Sequence, residues 1–123
     1  MINGSVVGLQ AQIGVIFCLP ESPSLEIKCV VDTGFEGFLT LPPAAVTTLN
    51  LTYATRINAN LADNSNLATD VYLGTILWNG IERDVPVLAM GRRPLVGTSL
   101  LKDYHLGIDF YEGGTVAIKQ ISY

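Results

Sequence analysis

Residues 25–34 read Leu25-Glu26-Ile27-Lys28-Cys29-Val30-Val31-Asp32-Thr33-Gly34. Apolar residues alternate at Leu25, Ile27, Cys29 and Val31, with Glu26 and Lys28 between them, the pattern of a strand with one face on a core. The strand runs directly into an acid, a hydroxyl residue and a glycine. Upstream, Ile13, Val15, Phe17 and Leu19 alternate in the same way, and Pro20-Glu21-Ser22-Pro23-Ser24 has the composition of a turn. Pairing Leu19 with Leu25 across that turn sets Val15 opposite Cys29 and Cys18 opposite Glu26. Both odd-numbered sets then share one face of a hairpin. In this register Cys18 and Cys29 point to opposite faces and cannot bond, so two free thiols are expected.

Downstream, Pro42-Pro43 opens a short helical segment, Ala44 to Leu49, with proline where a helix tolerates it. Tyr53 to Ala62 is extended but more polar, and Asp63-Asn64-Ser65-Asn66 reads as a turn. Val71 to Trp78 resumes as a strand and returns through Ile81 to Leu88 after Asn79-Gly80, the strongest hairpin signal in the chain. Pro86 within the returning strand points to an edge position or a bulge. Pro94-Leu95-Val96-Gly97 leads into a second short helix, with Thr98 or Ser99 as its cap before Leu100, Leu101 and Tyr104. Leu106 to Phe110, a turn at Glu112-Gly113-Gly114, and Thr115 to Ile121 complete the chain as two strands. Many short strands, two short helices and no linker predict an all-β, barrel-like domain over residues 1–123.

The 123 residues fit one domain, and 49% hydrophobic against 15% charged residues excludes disorder. A mean hydropathy of +0.39 implies more apolar surface than one small core hides, to be covered by a partner or by strands buried on both faces. Net charge is −4, and the only basic pair, Arg92-Arg93, is too short to track a phosphate backbone, so no nucleic-acid partner is expected. No apolar run approaches the ~20 residues of a membrane helix. Met1-Ile2-Asn3-Gly4 lacks the basic-then-apolar order of a signal peptide, and two cysteines make no disulfide framework; the expected location is cytoplasmic.

An Asp-[Ser/Thr]-Gly triplet arises by chance in roughly one chain in twenty of this length. Alone, Asp32 reads more readily as an ordinary Asx-turn at a strand end. Its surroundings make the triplet more specific: Val30-Val31 before it, Phe38-Leu39-Thr40-Leu41-Pro42 after it, a hairpin, and then Leu95-Val96-Gly97 before Leu100-Leu101. In that order, over Gly14 to Ile121, the sequence resembles the retropepsin-like aspartic proteases. The likeness is greatest to compact microbial members, with Asp-Thr-Gly-Phe, a following Leu-Pro, and an Ala-Asp near the flap, here Ala62-Asp63.

The resemblance implies a closed acid-protease barrel with a flap hairpin at about residues 60–70, a homodimer, a peptide or protein substrate, and neither cofactor nor metal. It implies catalysis by Asp32, Thr33 and Gly34, with Thr33 bracing the two subunits' loops and Gly34 making the tight turn that brings its carbonyl to the substrate backbone. Phe35, Glu36, Ala62, Asp63 and Asn64 are the implied substrate-binding positions. This chain also departs from the pattern. Retroviral members carry Ala after the triplet and pepsins Ser or Thr, whereas Phe35 has no hydroxyl and a bulk that can crowd the site. Glu36 stands where a retroviral acid binds substrate backbone and pairs with an arginine, but Thr98 replaces that arginine. The flap tip lacks the glycines of retroviral flaps.

Peptide hydrolysis needs a base to activate water and an acid to protonate the carbonyl oxygen and then the leaving amine. Two carboxylates a few ångström apart perform both tasks, because repulsion keeps one proton shared between them. Asp63, Asp70, Asp84, Asp103 and Asp109 lack a following Thr-Gly or Ser-Gly, so a two-carboxylate site requires a symmetric dimer. The alternative is a catalytically silent module of the same fold that binds peptides or scaffolds an assembly, and a small-ligand β-barrel rests on strand count alone. His105 is the only histidine, which makes zinc improbable, and it is placed at a helix C-terminus. Ser99, His105 and Asp109 lack a nucleophile elbow. Trp78 and Tyr72 read as packing residues on the flap strands, and Gly97-Thr98-Ser99 lacks phosphate-loop spacing.

Overall fold

The computed structural model describes residues 1–123. Strand β1 (Ile2–Val7) turns at Gly8-Leu9 into β2 (Gln10–Phe17), which pairs with β3 (Leu25–Val31). Then follow β4 (Leu39–Leu41), α1 (Pro43–Leu49), β5 (Thr52–Asn60), β6 (Asn66–Trp78) and β7 (Ile81–Ala89). β8 (Leu95–Val96), α2 (Thr98–Leu101), β9 (Tyr104–Ile108) and β10 (Thr115–Gln120) complete the chain. The strands lie in the order β5-β6-β7-β4-β8-β3-β2-β1-β10-β9, with a further pairing of β6 to β2. That pairing closes six strands, β2, β3, β8, β4, β7 and β6, into a barrel-like ring. The seam is short, Ile16 opposite Leu77 and Phe17 opposite Ile76. The fold class is all-β, as expected. The helices, of 7 and 4 residues, are too short to cross a membrane.

One apolar cluster fills the ring. Val15, Phe17, Leu39, Leu41, Ile76, Val85, Val87, Val96 and Leu100 are almost wholly buried and belong to it. Burial of each such side chain contributes about 1.5–3 kcal/mol. In β2 every odd-numbered residue from Ala11 to Phe17 is buried and every even one half-buried, which is the strand period written in full.

The β2–β3 register differs from expectation by two residues: Phe17, not Leu19, opposes Leu25, and Ile13, not Val15, opposes Cys29. The faces survive, because a shift of two preserves parity. The cause is the ring seam. Cys18 leaves β3 and donates its N–H to the Thr75 carbonyl of β6 (2.8 Å), so the loop back to β3 is longer than the proline-rich turn alone. Cys18 and Cys29 are both free. Burial pushes the Cys29 thiol up to about 12. With Cys18 half-exposed, alkylation of native protein at neutral pH should modify Cys18 alone, with Cys29 reacting only after denaturation. Mass spectrometry after a timed iodoacetamide pulse reads this directly, and equal labelling of both thiols would contradict the packing around Cys29.

Other expectations need adjustment. The hairpin over 52–78 has longer arms than predicted, since β6 begins at Asn66 rather than Val71. Its tip is the loop Leu61–Ser65, closed by Asn60 opposite Asn66. Pro86 sits in an unbroken ladder with β6; β7 meets its second neighbour, β4, only from Val87 on, so the missing N–H of Pro86 costs no bond there. The residue capping α2 is Gly97, not Thr98 or Ser99, and no side chain caps the helix. α2 ends at Leu101, and Asp103 (φ 72°) turns the chain so that His105 lies in β9 opposite Lys119, not at a helix C-terminus. The first strand, β1, had no counterpart in the periodicity. Asn79-Gly80 does make the tight hairpin turn, with φ of 52° and 81°. Trp78 is buried edge-to-face on Tyr104, and Tyr72 packs likewise on Tyr53, as befits packing residues.

Candidate active site

The Asp32 loop hangs between β3 and β4, and β8 lies between those same two strands. β8 runs parallel to β3 (Val30 with Leu95, Val31 with Val96) and antiparallel to β4 (Leu39 with Val96). The loop therefore wraps around a two-residue strand from a distant part of the chain. The Asp32 N–H donates to the Val96 carbonyl (2.9 Å) and the Gly97 N–H to Phe38 (2.9 Å). The Thr98 N–H donates to the Phe35 carbonyl (2.8 Å), and its hydroxyl approaches the same oxygen (3.3 Å). The Ser99 N–H donates to Gly37 (3.2 Å) and the Ser99 hydroxyl to the Glu36 carbonyl. Two hydroxyls thus hold the loop by bonds to its backbone carbonyls. The chain's two ion pairs are Lys28–Glu26 and Arg56–Asp70, and Glu36 is in neither.

Glycine is required at one point of this lock. A Cβ on Gly97 would clash with the Gly37 carbonyl oxygen and stand 2.6 Å from Phe35 Cδ2 and 2.7 Å from the Phe35 carbonyl oxygen. On the other side, a Cβ on Gly37 would lie 2.5 Å from Phe35 Cζ. The Phe35 ring is therefore held between Gly37 and Gly97. It does not line the cavity that contains Asp32, so its bulk leaves that cavity open.

Asp32 is half-buried, and its Oδ1 accepts the Gly34 N–H (2.9 Å), an Asx-type turn. The turn fixes one carboxylate oxygen. Asp32 and Thr33 open onto a cavity of about 430 Å³ whose walls are mostly apolar: Leu9, Val31, Leu95, Ile108 and Phe110. Asp32 is the only carboxylate among its lining residues, and Arg93 the only cation.

The expected site residues are thus distributed over two places. Asp32 and Thr33 line the cavity, and Gly34 orients the carboxylate. Glu36 is exposed on the same loop. Ala62, Asp63 and Asn64 sit at the hairpin tip, away from the cavity lining. There Asp63 Oδ1 accepts bonds from the Ser65 hydroxyl (2.5 Å) and N–H (3.0 Å), which hold its carboxyl below the usual range, and Asn64 takes φ 65°. Ser99, His105 and Asp109 share no hydrogen bond, since the serine hydroxyl is committed to Glu36. Leu9, Arg93, Ile108 and Phe110 were not legible as cavity residues. The Arg92-Arg93 pair was visible, but nothing local tied it to Asp32.

Comparison with solved structures finds EIAV protease in complex with the inhibitor HBY-793, with a TM-score of 0.53 over 76% of this chain and 86% of that one. The fold is retropepsin-like. At 19% identity the likeness speaks for the fold alone. No protein-family model matches the chain, and no curated protein matches it in sequence.

Proposed function

We propose that the chain is one subunit of a homodimeric, cofactor-free aspartic endopeptidase. What carries the proposal is the Asp32 carboxylate, oriented by Gly34 and the sole carboxylate of a largely apolar cavity in a retropepsin-like fold. One carboxylate cannot be ionised base and protonated acid at the same moment, so the second is Asp32 of another copy. With a water between the pair, the ionised carboxylate takes its proton as the oxygen attacks the peptide carbonyl. The protonated carboxyl gives its proton to the carbonyl oxygen, and the departing amine is protonated as the tetrahedral adduct collapses. Thr33, exposed at the cavity, braces the two loops, and the Gly34 carbonyl and Glu36 receive the substrate backbone. The hairpin tip, with Ala62, Asp63 and Asn64, closes over the bound peptide. Phe35, held between two glycines, supports the loop from behind.

A facing carboxylate pair loses its protons in two steps, so cleavage of a quenched fluorescent peptide should follow a bell against pH. A profile flat between about pH 3 and 8, the span of carboxylate titration, would argue against the pair. Specific activity should also fall on dilution as dimers dissociate.

A further inference from the structure

We propose that Arg93 selects the substrate: its guanidinium receives an acidic side chain beside the apolar residue at the scissile bond, so that the preferred targets are acidic-apolar peptide segments. This rests on the proteolytic reading above and adds to it a substrate class.

The backbone places Arg93 firmly. It precedes β8, and the next residue, Pro94, accepts the Val30 N–H at its carbonyl (2.9 Å). The guanidinium is tethered by a hydrogen bond from Nη1 to Gln10 Oε1. That partner is a neutral amide. No carboxylate pairs with Arg93, whereas Lys28 nearby is engaged with Glu26 (3.2 Å). A guanidinium has five N–H donors in a planar fork that matches a carboxylate, and most of this fork is left for a ligand.

Its location gives the free cation a direction. Arg93, Gln10 and Val30 border both the Asp32 cavity and a second one of about 420 Å³, whose other walls include Gln12 and Lys28. No carboxylate lines the second cavity. Arg93 therefore stands between an apolar cavity at the acid and a second cavity without a carboxylate, on a protein whose net charge is −4. An extended peptide presents alternate side chains to the same wall, about 7 Å apart. Leu9, Val31 and Phe110 line the same cavity as Arg93, so a peptide with an apolar side chain among them has Arg93 for the next side chain on that face. A substrate lysine there would meet the like charge of Arg93, which no carboxylate pairs.

The test uses peptides with one apolar cleavage core and Glu, Gln or Lys placed at each flanking position in turn. Both kcat/KM and Kd by fluorescence anisotropy are measured for native protein, Arg93→Gln and Arg93→Glu. At one or more positions native protein should favour Glu over Lys about tenfold, as one charge-assisted contact allows, with the ratio shrinking at high salt. Arg93→Gln should level the ratio and Arg93→Glu invert it. Equal cleavage of Glu and Lys peptides at every position, or a preference that Arg93→Glu leaves intact, would overturn the Arg93 assignment while the protease stands. A charge preference in binding that Arg93→Glu inverts, with no peptide cut, would keep the Arg93 groove and remove the protease.

Discussion

Equal amounts of native and Asp32→Asn subunits, allowed to exchange, should show about one quarter of the activity of native protein at the same total concentration, because random pairing leaves that fraction of dimers with two native chains. The Asn side chain keeps the size of Asp and retains an Oδ1 to accept the Gly34 N–H, so the loop and the dimer should persist. What disappears is the group that shares a proton. Pure Asp32→Asn protein should lose roughly a thousandfold or more in kcat, the scale of a general acid–base contribution. One asparagine per site is enough to remove the shared proton, so mixed dimers should be nearly as inactive. A mixture at one half of native activity, with exchange shown by mass-tagged subunits, would mean that each chain works alone.

Gly97→Ala should have the largest effect on stability. The new methyl would occupy the space of the Gly37 carbonyl oxygen and crowd both the ring and the carbonyl of Phe35. Those are mostly backbone atoms, which cannot swing aside as a side-chain tip would. Relief requires withdrawing β8 or the loop, at the expense of the bonds from Gly97 to Phe38 and from Thr98 to Phe35. Overpacking of a close-fitting site costs about 1–3 kcal/mol, and the broken bonds raise this to about 3 kcal/mol or more. For a chain of this size, Tm should fall by roughly 10 °C or more. Activity should fall with it even well below Tm, since the same contacts position Asp32. Thermal unfolding followed by circular dichroism, beside peptide cleavage at low temperature, separates the two effects. Unchanged Tm would show that the loop and β8 are not locked together as described.

The legible parts of the molecule are those dictated by neighbours in sequence. The alternation of β3 into Asp32-Thr33-Gly34, the prolines opening α1 and the Asn79-Gly80 turn depend on a few adjacent residues, and all appear where expected. Features set by remote partners were not legible. β1 lacks clean alternation, with Gly4 and Ser5 in its middle, and is a strand because β2 and β10 flank it. The β2–β3 register moved because β6 captures Cys18. At the site, the triplet could be read directly, but the cavity around it could not. Arg93, Ile108 and Phe110 come to line the same cavity as Asp32 through the placement of β8 and β9, which no periodicity encodes.

The position of β10 has a consequence for the chain as it emerges from the ribosome. β10 lies between β1 and β9, so the first strand acquires its second neighbour only after Thr115–Gln120 have been made. The Asp32 loop likewise waits for β8. During most of synthesis both segments expose unpaired backbone and apolar side chains, the condition under which strands pair with the wrong partner. Native topology of this kind, dominated by distant pairings, folds on the order of milliseconds to seconds rather than microseconds. The carboxylate is therefore held in its final position only late in folding, so incomplete chains would lack the formed Asp32 cavity while they are still being made.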